Sequence, residues 1–272
     1  MTEAAVIEPG KIDLGRVIAE TFRVTGRNIT TFSALGLLLC GLPLAIVGYF
    51  QALWAGDQLD GLSSGARVFS TGPVLGVIYG GLATLVAMAI LQGALIYATV
   101  QELNGRKPGI GESLAMGLRN FLPLIGLGLL LGVAVVFGFV LLVVPGIMML
   151  CAWCVAAASL VADRTGVIGA FGRSAELTRG NRWSIFGLLV IVWVISMVLD
   201  AIVNTALRVS AFGSDDPLEM VARTLSPLGI VLGVVRTTVA AVITSAAIAV
   251  LYVELRRAQE GLGPQWLREI FS

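Results

Sequence analysis

A chain of 272 residues would ordinarily fold as one or two water-soluble domains, but 57% apolar residues, only 13% charged ones and a mean hydropathy of +0.93 exclude that. The 18 basic and 17 acidic residues nearly cancel, which argues against a nucleic-acid footprint. There is no histidine, so the commonest general base and transition-metal ligand is missing, and three cysteines inside apolar runs are too few for a disulfide scaffold.

In chain order, residues 1–28 are a predicted cytoplasmic segment holding one amphipathic helix. Asp13 suits its N-cap, and Leu14, Val17, Ile18 and Phe22 fall on one stripe. The membrane domain is predicted over 29–253. A helix rising about 1.5 Å per residue needs roughly 20 apolar residues to cross about 30 Å of hydrocarbon. Six runs qualify: 29–53, 73–99, 121–144, 147–162, 183–206 and 227–253. The third and fourth are together too long for one crossing. Pro145-Gly146 between them reads as a hairpin turn, because proline lacks the amide donor and glycine permits a tight bend. Residues 254–272 form a predicted cytoplasmic tail.

Six spans put both termini on one side. Fourteen of the basic residues fall in the N-terminal segment, in the connections after the second and fourth spans, and in the tail. Only Arg67, Arg208 and Arg223 fall in the opposite loops. The positive-inside rule then predicts cytoplasmic termini, and 16 arginines against 2 lysines suit a GC-rich bacterium and its cytoplasmic (inner) membrane.

The segments before the first, third and fifth spans resemble one another. With Asn28, Asn120 and Asn181 aligned, Thr21, Ser113 and Ser174 stand seven positions earlier, and Val24, Met116 and Leu177 four positions earlier. The expected fold is therefore an all-α membrane protein: six transmembrane helices as three repeated hairpins, each preceded by a cytoplasmic amphipathic helix and a short turn at the asparagine. In the third unit Ile168, Phe171 and Ala175 repeat the apolar stripe and Gly180 suits the helix end. In the second, Ile110 to Leu118 is weakened by Gly111 and Gly117 inside it and Gly109 just before it.

Two stretches carry a family resemblance. Ser174-Ala175-Glu176-Leu177-Thr178-Arg179-Gly180-Asn181-Arg182-Trp183, followed by Ile185-Phe186-Gly187-Leu188, is one, and Val143-Val144-Pro145-Gly146-Ile147 is the other. Together they are similar to the bacterial family called the glycerophosphoryl diester phosphodiesterase membrane domain, most specifically over residues 119 to 190. The resemblance implies a polytopic helical domain of the cytoplasmic membrane. The histidine-dependent phosphodiesterase domain to which it is sometimes fused has no counterpart here, so the resemblance carries no enzymatic activity.

Polar groups inside the apolar runs are the remaining candidates for chemistry. Asp200 and Arg236 lie at similar depths in the fifth and sixth spans, which permits an ion pair, with Asn204 one turn from Asp200. Gln92 suits an interhelical hydrogen bond. Cys151-x-x-Cys154 puts two thiols on one helix face, against a background in which cysteine serves as a small hydrophobe. Gly76-x-x-x-Gly80, Gly128-x-x-x-Gly132 and Gly229-x-x-x-Gly233 have the spacing of close helix contacts.

The functional expectation is a non-enzymatic membrane protein with no catalytic, metal or cofactor site. It contacts membrane lipid, anionic lipid included, a membrane-protein partner or a second copy of itself, through Arg16, Arg23, Arg173, Arg179 and Arg182. A transporter or lipid-handling channel is the alternative, and a membrane thiol oxidoreductase a minor one.

Overall fold

The computed structural model describes residues 12–63, 72–209 and 224–260. Of the basic residues, Lys11 in the N-terminal segment, Arg67 and Arg223 in the opposite loops and Arg268 in the tail lie outside the described residues, as does the side chain of Arg208. Every regular element described is helical. Helix α1 (Leu14–Arg27) is followed by α2 (Ile29–Gly36), a π-helical turn (Leu37–Gly41) and α3 (Leu42–Ser63). Then come α4 (Gly72–Leu103), α5 (Ile110–Leu141), α6 (Val143–Trp153), α7 (Ala156–Asp163), α8 (Gly166–Leu177), α9 (Arg182–Val209) and α10 (Pro227–Glu260). Among the described residues, six stretches are long and apolar enough to cross a membrane: Ile29–Leu53, Ile78–Leu103, Ile110–Leu141, Val143–Asp163, Arg182–Leu207 and Pro227–Gln259. The chain is built as a multi-pass, all-helical membrane protein.

The six stretches are not equivalent. The second, fourth and sixth have 61%, 44% and 44% of their apolar windows buried, against 28%, 17% and 11% for the first, third and fifth. Helices α4, α7 and α10 touch one another at the centre. The first span leans on α4 and α10 from outside, α5 on α4, α6 and α7, and α9 on α6 and α10. Large apolar side chains on the outer helices, such as Leu122, Phe137 and Trp193, are open, as lipid-facing positions must be. The sealed interior is formed by Leu91, Leu95 and Ile96 of α4 and Leu251, Tyr252 and Leu255 of α10.

Close packing rests on glycine, and of the repeated GxxxG spacings only the first contributes among the described glycines. A Cβ on Gly117 of α5 would collide with the Ile90 carbonyl oxygen of α4, and one on Gly93 would stand 3.1 Å from the Gly117 Cα. The two backbones therefore cross almost in contact. By contrast Gly128, Gly132 and Gly233 face open space, and of the GxxxG glycines Gly80 meets a neighbour, Val47 of α3.

Three expectations need correction. Pro145-Gly146 is not the turn between the third and fourth spans: the chain bends at Leu142, which is fully extended (φ −168°, ψ 149°). Pro145 sits in the first turn of α6, where a missing amide hydrogen costs nothing, and Gly146 lets the hairpin arms close, since a Cβ there would stand 2.8 Å from the Phe139 ring. Second, no separate amphipathic helix precedes the third span. Ile110 to Leu141 is one helix with Asn120 and Pro123 inside it, because position 119 is arginine where the third unit has Gly180 in the left-handed region (φ 87°). Third, the apolar stripes hold in part: Leu14, Val17 and Ile18 of α1 and Phe171 of α8 pack on the core, but the buried positions are Val17, Thr21 and Val24 in α1 and Ala170, Ser174 and Leu177 in α8, while Phe22 and Ile168 point outward.

Candidate functional site

The end of the bundle where α1 and α8 pack collects most of the singled-out side chains. Asp13 caps α1 by accepting from the Arg16 amide (3.2 Å). The aligned hydroxyls are all buried and all donate to backbone carbonyls: Thr21 to Val17 (2.7 Å), Ser113 to Gly109 (2.8 Å) and Ser174 to Ala152 (2.8 Å). The aligned asparagines behave less uniformly. Asn28 and Asn120 donate to the carbonyls four residues back, Val24 (3.1 Å) and Met116 (2.9 Å), whereas the Asn181 side-chain oxygen accepts from the Ile12 amide (3.2 Å). That last bond ties the start of α1 to the start of α9, far apart in sequence.

Ala152 lies where α6 gives way to α7, and the final carbonyls of a helix lack intrahelical donors. Its oxygen accepts from Ser174 and also from Thr178 (3.3 Å), both on or just after α8. Trp153 and Phe171 pack edge to face beside them, with ring centroids 5.1 Å apart. A helix break in an apolar span is thus closed by two hydroxyls.

Sequence reasoning missed the ionic centre of this end. Asp163, the last residue of α7, accepts from the Tyr252 hydroxyl (2.8 Å) and from Arg256 (3.0 Å), both on α10, and Arg173 of α8 stands 3.6 Å from its second oxygen. Arg256 also donates to the Tyr252 hydroxyl (2.9 Å). The Arg256 and Asp163 side chains are 7% and 11% exposed, so the pair is nearly dry. The available signal was an acid ending one apolar run and a Tyr–Arg pair one turn apart ending another.

The arginines expected to face lipid or a partner divide into three groups. Arg173 is drawn inward to Asp163 and also reaches Glu176. Arg16 pairs with Glu254 (3.4 Å) and Arg23 with Glu20 (2.6 Å), but both side chains remain largely open, at 42% and 57%. Arg179 and Arg182 make no ion pair among the described residues, and the Arg182 Nε is buried without a hydrogen-bond partner. Arg182 opens α9 and lines a trough of about 240 Å³ against α6.

Near the far ends of α3, α4 and α10 lies an open cleft of about 610 Å³, lined by Gln51, Gly81, Thr84, Thr237 and Arg236 among others. Arg236 forms its ion pair with Asp200, as their depths permit, while Asn204 is exposed. Gln92 is half-buried and makes no hydrogen bond among the described residues. Cys40 and Cys151 are buried and Cys154 half-buried, and all three are free thiols, with Cys154 donating to the Cys151 carbonyl (3.3 Å).

A family model described as a domain of unknown function (DUF7847) matches residues 127–255, just under half of the chain, running from within α5 to near the end of α10. That stretch is similar to the domain. No curated protein and no solved structure matches the chain.

Proposed function

We propose that this chain is a non-enzymatic protein of the bacterial cytoplasmic membrane, with both termini cytoplasmic, that engages anionic lipid or a membrane partner through its arginine-rich end. In this reading the six spans are three repeated hairpins arranged about one axis, each entered from the cytoplasm through an interfacial segment. The alternation of buried and open spans supports the repeat, since each hairpin contributes one outer and one inner helix. So does the burial of a hydroxyl at the same aligned position in all three units. The resemblance to the glycerophosphoryl diester phosphodiesterase membrane domain belongs to this reading, as a membrane domain without its enzyme.

The observation that carries it is the pairing pattern of the arginines. The exposed pair Arg23–Glu20 is worth about 0–1 kcal/mol, so its guanidinium can trade a carboxylate for a phosphate at little cost, and the buried Glu254 keeps Arg257 as a second partner when Arg16 turns to a phosphate. Among the described residues Arg179 and Arg182 have no carboxylate to give up. Beside them Phe22, Ile168 and Trp183 point outward, the apolar counterpart expected of segments lying at headgroup level. Near a membrane surface each basic residue contributes about 1 kcal/mol of attraction to anionic lipid.

The test is lipid extraction. Polymer-excised discs containing the chain are expected to be enriched in phosphatidylglycerol over the bulk membrane. Reversing Arg16, Arg23 and Arg179 to glutamate is expected to bring the ratio down to the bulk value. An unchanged ratio overturns the lipid reading, and tagging that puts Arg23 and Arg179 on opposite sides of the membrane overturns the repeat.

The cleft between α3, α4 and α10 favours a second reading, a lipid-handling channel, because helices of the first and third hairpins line it together with Arg236 and Thr237. Gly81 borders it with open space around its Cα, so Gly81→Leu would fill the cleft without a clash. Lipid scrambling in vesicles that is present in the parent protein and lost in this variant would favour that reading over the first.

A further inference from the structure

We propose that the trough between α6 and the first turn of α9 is a site for one anionic phospholipid, with its phosphate on Arg182 and an acyl chain along the α6 wall. The inference rests on the lipid-contacting reading above and narrows it from a face to a stoichiometric site.

The wall is built by helix periodicity. Val144, Ile147, Met148 and Cys151 have the spacing of a single helical stripe, and together they offer an uninterrupted apolar strip about two turns long. Opposite them, Arg182 and Phe186 stand four residues apart on one face of α9, with Trp183 at the rim, 86% exposed. Arg182 is the single charged side chain among the residues lining the trough.

Charge complementarity selects the occupant. An arginine in an apolar wall normally finds a carboxylate or a carbonyl, as Arg256 does with Asp163 and Arg236 with Asp200. Among the described residues Arg182 finds neither, and its Nε is buried with no hydrogen-bond partner there. A guanidinium presents donors in a planar fork that matches phosphate oxygens, and the start of a helix adds partial positive charge from its free amides. A neutral hydrocarbon would leave the guanidinium charge unmatched, and a water-soluble anion would leave the α6 strip uncovered. An amphiphile carrying a phosphate and an alkyl chain answers both needs. Trp183 at the rim suits the headgroup boundary, where indole is favoured.

The experiment is native mass spectrometry of the full chain in detergent, with equimolar phosphatidylglycerol and phosphatidylcholine of matched chains. One retained phosphatidylglycerol per chain is expected, favoured by roughly tenfold, the scale of one charge-assisted hydrogen bond. Arg182→Gln is expected to abolish the preference while leaving weak binding of both lipids. Ile147→Trp, which fills the trough and leaves the charge in place, is expected to expel both. A preference that survives Arg182→Gln, or a lipid still retained by Ile147→Trp, overturns the site. If Arg182→Gln does not fold, the Ile147→Trp arm decides alone. Because neither variant alters Arg16, Arg23 or Arg179, loss of the site with disc enrichment intact refutes the broader reading in no respect. Loss of enrichment with the single lipid retained refutes only the broader one.

Discussion

Removing the Asp163 carboxylate should destabilise the chain more than any other single change at the arginine-rich end. Asp163→Asn leaves Arg256, 7% exposed at its side chain, without its counter-charge, and weakens the acceptor used by Tyr252 at 2.8 Å. Breaking one partner of a buried pair costs about 3–5 kcal/mol, because the remaining charge stays desolvated. For a chain of this size that corresponds to a fall of roughly 10 °C in the melting temperature. Arg256→Met should cost less, since it removes the desolvated charge and leaves Asp163 with Arg173 and Tyr252 as partners. The double variant should then lose far less than the two single losses added together, with a coupling of about 2–3 kcal/mol. Thermal unfolding of the four proteins in one detergent measures the cycle. Losses that add within about 0.5 kcal/mol would refute the claim that these groups act as one buried unit.

Other expectations follow from particular contacts. Gly117→Ala should cost about 1–3 kcal/mol by forcing α4 and α5 apart at the Ile90 carbonyl, whereas Gly128→Ala, facing open space, should stabilise by up to about 1 kcal/mol; melting temperatures of the pair check the contrast. Joint Ser174→Ala and Thr178→Val should cost about 1–3 kcal/mol by stranding the Ala152 carbonyl, read as a lower melting temperature together with faster proteolysis near residue 154. The Asp200–Arg236 pair, with side chains 47% and 38% exposed, should give a coupling of only about 0.5 kcal/mol in the same kind of cycle. Cys151 and Cys154 should both be alkylated as free thiols when the chain is isolated and unfolded without reductant, and a Cys151–Cys154 disulfide found by mass spectrometry would reopen the thiol reading.

The spans were legible because lipid imposes a length and an apolar composition that sequence displays directly. Their start and end residues were less so. Ile110 to Leu141 runs as one helix because arginine stands at position 119, and a reading that placed a turn at Asn120 by alignment with the other two units divided it in two. The hairpin turn was displaced by three residues for a similar reason: proline is as much at home in a helix's first turn as in a bend. The buried stripe of α1 was obscured because this surface uses two faces. Hydrophobicity alone selects Phe22, which faces out, over Thr21, which is buried with its hydroxyl bonded to a carbonyl. The Asp163 cluster was hidden altogether, since its members come from α7, α8 and α10 and only tertiary packing gathers them.

The clasp on Ala152 has a consequence for biosynthesis. A ribosome finishes the fourth span before it reaches Ser174 and Thr178, so the carbonyl at the α6–α7 break leaves the exit tunnel while its two later donors are still inside it. The second hairpin therefore matures only once α8 has left the exit tunnel and folded back. A chain truncated between residues 163 and 174 would carry a complete span sequence and an unfinished span.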